Sequence, residues 1–294
     1  EYNHHFWQRF RKEVKDANPN AVILAEHYRD ASSWLAGDQW DTIMNYDAFM
    51  EPVSFFLTGM EKHSDRFEGD LWGDGRVFEI TMRHAMCEFL TPSLYCAMNQ
   101  LSNHDHSRFL TRTNHKAGRV AELGSAAAGE GVSIPVLTLA ALIQMTWPGA
   151  PTLYYGDEAG VVGFTDPDSR RTYPWGNANY ELIDYHRDLI FLRRFHEALK
   201  TGSLNFLASG RNYVSYARFN DKEKMVIVIN SGDTDFEVDV PVWKGEVPQN
   251  CEMQMVFAAN KQGYSLMAVR HQVEKGILHI KLTGLSGVVL TYEN

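Results

Sequence analysis

Residues 21–26 read Ala21-Val22-Ile23-Leu24-Ala25-Glu26, an apolar run too short for a helix and closed by a carboxylate. A run without alternating polar residues suits a strand buried on both faces, and such strands belong to parallel sheets covered by helices. Upstream, Phe6, Phe10 and Val14 follow Tyr2 at every fourth position until Asn18-Pro19, which is the spacing and the stop of an amphipathic helix. Downstream, Thr42-Ile43-Met44-Asn45-Tyr46 is a second short run, and Phe49, Val53, Phe56 and Leu57 follow at helix spacing. A third strand is expected over Ser93 to Leu101, running into Ser102-Asn103-His104-Asp105, and an apolar helix follows around Ile134 to Trp147. A fourth, Thr152-Leu153-Tyr154-Tyr155, ends in Gly156-Asp157-Glu158, ahead of one amphipathic helix from Tyr180 to Lys200. Short buried strands alternating with helices, with acids at their C-terminal ends, predict an α/β fold with a parallel sheet. In a barrel of this kind that end is where active sites sit.

From about Thr201 the pattern changes. Tyr213 to Ala217, Met225 to Ile229, Phe236 to Val240, Ile277 to Leu282 and Gly287 to Tyr292 are β-rich runs separated by turn signals such as Asn220-Asp221 and Ser231-Gly232. The expectation is two units, residues 1–200 and an antiparallel β-sandwich over 201–294. The 294 residues carry 28 Lys and Arg against 37 Asp and Glu, a net charge of −9. With no basic run to neutralise phosphates, nucleic acid is excluded as a partner. Ile134 to Trp147 is interrupted by polar residues and falls short of the ~20 that span a bilayer, so no membrane helix is expected. Cys87, Cys96 and Cys251 have no metal or redox spacing and are read as buried free thiols. The start carries neither an initiator Met nor a leader pattern and reads as the middle of a longer chain, which leaves the compartment unknown.

Glu26, Asp105 and the Asp157/Glu158 pair would surround one mouth of such a barrel. Carboxylates facing each other there suit glycoside hydrolysis, one as acid and another as nucleophile or stabiliser. Helix caps are the competing explanation for the same acids. His104 and His106 share a face only if the strand persists through them, so no metal site is assigned to them or to His4 and His5. Most tryptophans, Trp34, Trp40, Trp72, Trp147, Trp175 and Trp243 among them, are read as core, with one or two left to stack on a ligand. Arg193-Arg194 is placed on the solvated side of its helix.

Leu101-Ser-Asn-His104-Asp105, taken with Val22-Ile-Leu-Ala-Glu26, Met44-Asn45-Tyr46, Pro148 to Glu158 and Asp166-Pro-Asp-Ser-Arg170 through Trp175, resembles the α-amylase family of glycoside hydrolases. The likeness is greatest to its neopullulanase, cyclomaltodextrinase and maltogenic amylase group. It runs in register over about residues 1–200. It implies the C-terminal half of a TIM (β/α)8 barrel, strands five to eight, followed by the family's β-domain. By the same resemblance Glu26 matches the general acid/base, and Asp105 the carboxylate that stabilises the oxocarbenium-like transition state. His104 matches a sugar-binding histidine, Asp166 and Arg170 a pair that grips glucose units, and Tyr46 a contact near the cleft. No cofactor is implied, and calcium is not indicated.

One expected member is missing. The family's nucleophile is an Asp in a G-x-R-x-D motif, which occurs nowhere in these residues. The resemblance puts it upstream of Glu1, with strands one to four. Glu1 itself matches the neopullulanase group, whereas Tyr28 stands where that group carries Trp. The reading is a fragment of a retaining hydrolase of α-1,4 glucosidic bonds, with α-1,6 bonds as a second candidate, inactive by itself. The alternatives are an α-1,6-oligoglucosidase, a transglycosylase, or a non-catalytic glucan-binding module. The open edges of half a barrel are expected to pair, giving a homo-oligomer unless the chain's own helices cover them. Free thiols and the resemblance lean towards the cytoplasm.

Overall fold

The apolar runs pair in chain order. A computed structural model describes residues 3–293; Glu1, matched above to the neopullulanase group, Tyr2 of the first helix pattern, and Asn294 lie outside the described residues. Helix α1 (His4–Ala17), capped by Asn3, precedes β1 (Leu24–Ala25), which pairs in parallel with β2 (Thr42–Ile43). Beyond β2, a π-turn over Tyr46–Met50 leads into α2 (Glu51–Thr58) and α3 (Gly75–Met86). A short α4 (Thr91–Tyr95) then leads into β3 (Met98–Gln100). Met44 bridges to Met98 in parallel, joining the β1–β2 pair to β3. After the short α5 (Phe109–Arg112) and α6 (Val120–Leu123) comes α7 (Ile134–Thr146), followed by β4 (Ala150–Thr152), parallel to β3. The result is a four-stranded parallel arc with its helices outside, half of a (β/α)8 barrel by topology.

Three local expectations are corrected. The third strand is β3 alone, because Thr91-Pro92 starts a helical turn that consumes the beginning of the Ser93 run. The fourth is Ala150–Thr152 and stops before Tyr155, since Gly156 turns the chain into a left-handed conformation. The long helix divides into α8 (Tyr180–Phe195) and α9 (Glu197–Thr201) at His196, whose backbone is extended.

The β-domain is a nine-stranded antiparallel sheet made of β5 (Ser203–Gly210), β6 (Tyr213–Phe219), β7 (Glu223–Asn230), β8 (Phe236–Pro241), β9 (Cys251–Asn260), β10 (Gly263–Ser265), β11 (Val269–Glu274), β12 (Ile277–Leu282) and β13 (Ser286–Glu293). The strand order β5-β6-β7-β13-β9-β11-β12-β8 curls until its ends approach, which encloses a sandwich-like core. Strand β7 shows how the two halves of the molecule join. Val226 and Val228 face the β-domain's own core with Leu278 and Ile280, while Met225, Ile227 and Ile229 face α7 and α8. Period-two alternation therefore buries both faces of one strand.

Two arginines fasten this junction. Arg193, expected on a solvated face, is buried and donates to the carbonyls of Met145 (2.8 Å), Trp147 (3.0 Å) and Gly149 (2.7 Å). Arg218 is fully buried and donates to Thr146, Leu199 and Gly202 carbonyls. Arg193 satisfies carbonyls at and beyond the end of α7, and Arg218 joins the end of α7 to that of α9, where helices offer unpaired acceptors and favour positive charge. The cysteines also depart from expectation. Cys87 and Cys96 are exposed at the ends of α3 and α4, and Cys251 is half-buried.

Candidate active site

Adjacent strand ends deliver side chains to one mouth. Glu26 directly follows β1, Tyr46 follows β2, and Asn103, His104 and Asp105 follow β3. Single ligand atoms of Glu26, His104 and Asp105 lie within 4.8 Å of one another. His104 Nε2 is 3.4 Å from Asp105 Oδ1, and Arg170 Nη2 approaches the same oxygen at 3.9 Å. Arg170 Nε is also paired with Asp166 Oδ1 at 2.5 Å. The turn bearing these two residues is fixed by backbone contacts, Asp166 N–H donating to the Asp105 carbonyl and Ser169 Oγ to that of His104. Gly163 makes this close approach feasible, because a Cβ there would meet the Asp168 carbonyl at 2.3 Å.

Tyr46 is placed differently from the expected cleft contact. It is 1% exposed, covered by Tyr28 stacked on it at 4.6 Å and 12°, and its hydroxyl meets Glu26 Oε1 at 3.2 Å. Burial pushes its phenol far above the usual range, assisted by Tyr28 and Glu26. Tyr28, 44% exposed, is the ring that faces the mouth.

Asp157 and Glu158 are not at the mouth as free acids. Asp157 is buried against Arg108, which donates to it at 2.9 Å; burial pushes its carboxyl upward, opposed by that guanidinium. Glu158 accepts from the Gly156 N–H. Arg108 also holds the Tyr155 and Ser169 carbonyls and stacks over Tyr154 at 4.0 Å. It thereby braces the three loops around the mouth, a role that no local pattern announces. Trp34, Trp40 and Trp147 are buried, whereas Trp175 is 86% exposed beside Tyr173.

Among the described residues, His, Asp and Glu groups cluster at ligand distance in three places: at the mouth, at Glu61/His63/Asp65, and at His196/Glu223/Glu293. A carboxylate of each is already engaged. Arg170 lies at the first, Arg119 and backbone N–H groups hold the second, and His196 with the Ala198 N–H holds the third. No metal is assigned to any of them.

A parallel arc that presents two carboxyl groups and an imidazole at its C-terminal mouth, backed by an antiparallel domain, defines part of a catalytic barrel. The chain belongs to the α-amylase family: the family's catalytic domain matches residues 2–247. It is 36% identical over 234 residues to a cyclomaltodextrinase of Thermoanaerobacter pseudethanolicus, covering 79% of this chain and 36% of that one. It is 34% identical over 235 residues to neopullulanase 2 of Thermoactinomyces vulgaris, covering 79% and 35%. A solved debranching enzyme from Nostoc punctiforme superposes with a TM-score of 0.76 at 28% identity, over 98% of this chain and 55% of that one. The chain thus spans about a third to a half of these relatives. Its four parallel strands are the C-terminal half of the barrel.

Proposed function

We propose that the chain is part of a retaining glycoside hydrolase acting on α-1,4-glucosidic bonds of cyclodextrins and maltooligosaccharides, with residues 1–200 its half-barrel and 201–294 its all-β domain. The observation that supports this reading is the grouping of Glu26, His104 and Asp105 within 4.8 Å at the mouth. Glu26 protonates the leaving oxygen and later deprotonates water. Asp105, beside His104 and Arg170, stabilises the positive charge that develops on the sugar ring. His104 and the Arg170–Asp166 pair hold sugar hydroxyls. Likeness to a debranching enzyme is the reason to include α-1,6 bonds among the substrates tested.

Retention needs a carboxylate that attacks the anomeric carbon, roughly 5 Å from the acid. Asp157 is paired with Arg108 and Glu158 with a backbone N–H, so neither is free for that role. The family resemblance places the nucleophile in a G-x-R-x-D motif that these residues do not contain, and on that reading the chain by itself is inactive. The test is hydrolysis of β-cyclodextrin, maltotriose and pullulan by this chain and by one extended upstream through the whole barrel. Activity in the longer chain alone, lost about 10²–10⁴-fold in Glu26→Gln, is the expected result. Turnover by the short chain that Glu26→Gln abolishes would overturn the inactivity, and none in either would overturn the hydrolase.

A further inference from the structure

Tyr46 and Asn103 are both buried, yet their polar atoms form a series that ends at Glu26. The Asn103 amide has its orientation imposed on it. Its Oδ1 accepts from the Asp105 and His106 N–H groups, both at 3.0 Å, and a flipped amide would set donor against donor. Nδ2 is thereby directed at the Tyr46 hydroxyl, 3.0 Å away. Because Nδ2 donates, it occupies a lone pair of that oxygen and leaves the phenolic proton for another acceptor. Three are within reach: Glu26 Oε1 at 3.2 Å, the Met44 thioether at 3.7 Å and the hydroxyl of the stacked Tyr28; the carboxylate is the strongest acceptor of the three. The ring cannot swing away. Tyr28 stacks on one face, and His106 meets it at 5.2 Å and 84°.

We propose that Asn103 and Tyr46 are positioning residues that tie the Glu26 carboxyl to the turn carrying His104 and Asp105. Three strand ends are coupled in this way through side chains: Glu26 after β1, Tyr46 after β2, Asn103 after β3. The separation of the acid/base from the stabilising carboxylate then depends on a directed hydrogen-bond series as well as on strand pairing. In a reaction where misplacement by an ångström is costly, this acts on turnover more than on binding. The inference rests on the hydrolase reading above.

The experiment uses the full-length enzyme that contains this chain, with kcat and KM for β-cyclodextrin and circular dichroism to confirm folding. Tyr46→Phe keeps the ring and removes the proton given to Glu26. Asn103→Asp keeps the acceptor that caps the turn but replaces the Nδ2 donor by a second acceptor, drawing the phenolic proton away from Glu26. Each is expected to lower kcat about tenfold, the size of one hydrogen bond to a charged group, with KM within about twofold. The double variant is expected to fall no further than either single one. Wild-type kcat in Asn103→Asp, or losses that multiply in the double variant, would overturn the coupling and leave Asn103 a turn cap. An inactive wild type would remove the hydrolase reading and this inference together, whereas an active wild type with unmoved variants removes this inference alone.

Discussion

His106 is fully buried beside the mouth, and among the described residues neither ring nitrogen has a hydrogen-bond partner. Burial pushes its imidazole down to about 2, with His63, Arg112, Lys62 and His104 adding repulsion. Its ordinary value returns on unfolding, so as pH falls below about 6.5 the unfolded chain gains a proton that the folded chain refuses. Stability is present above that range and lost on acidification. Between pH 7.5 and 5.0, urea unfolding of the wild type should lose about 2 kcal/mol more than unfolding of His106→Gln. Equal losses in the two proteins would show that His106 titrates in the folded state. The same side chain illustrates how a motif conceals its parts: His104, Asp105 and His106 are adjacent in sequence, yet the first two line the mouth and the third is sealed beneath it.

At the scale of elements, α7 depends on a residue some 45 positions away. Arg193 donates to three carbonyls at and beyond its C-terminal end, while the adjacent Arg194 is exposed. Arg193→Ala leaves buried acceptors unpaired and should cost about 3 kcal/mol, whereas Arg194→Ala should change stability by less than about 0.5 kcal/mol. Chemical denaturation of the two variants checks the contrast, and equal effects would refute it. Helix α1 is the opposite case. Its apolar spacing is that of an amphipathic helix, yet none of its residues is buried, and Phe6 is 52% exposed.

At the scale of the whole molecule, that exposed face continues into the barrel edge. Val22 is 65% exposed, Leu24 and Phe10 are exposed too, and β1 has a strand partner on one side only. Open edges with apolar neighbours pair with what is available. Light scattering should show concentration-dependent self-association of this chain and a loss of that dependence when the N-terminal half of the barrel is supplied. A monomer at all concentrations would mean that the exposed edge is inert.

Much of the fold was legible because its signals are local. Short apolar runs ending in Glu26, Asp105 and Asp157, helix spacing between them, and β-rich runs after Thr201 come from periodicity, which one stretch of chain carries by itself. Glu26, His104 and Asp105 could be picked out by residue type and motif, and the tertiary structure brings them together. Where the strands begin and end, after the Thr91-Pro92 turn for β3 and before Gly156 for β4, depended on turn chemistry that overrode apolar content. Only the tertiary structure decided that Asp157 is held by Arg108, that Arg193 is buried, that Cys87 and Cys96 are exposed, and that Tyr46 faces Glu26 from beneath Tyr28. Each of these is a contact between residues far apart in the chain, or a face set by what packs against it. Local pattern determines which residues want burial or charge; the packing of distant segments determines which partner each one finds.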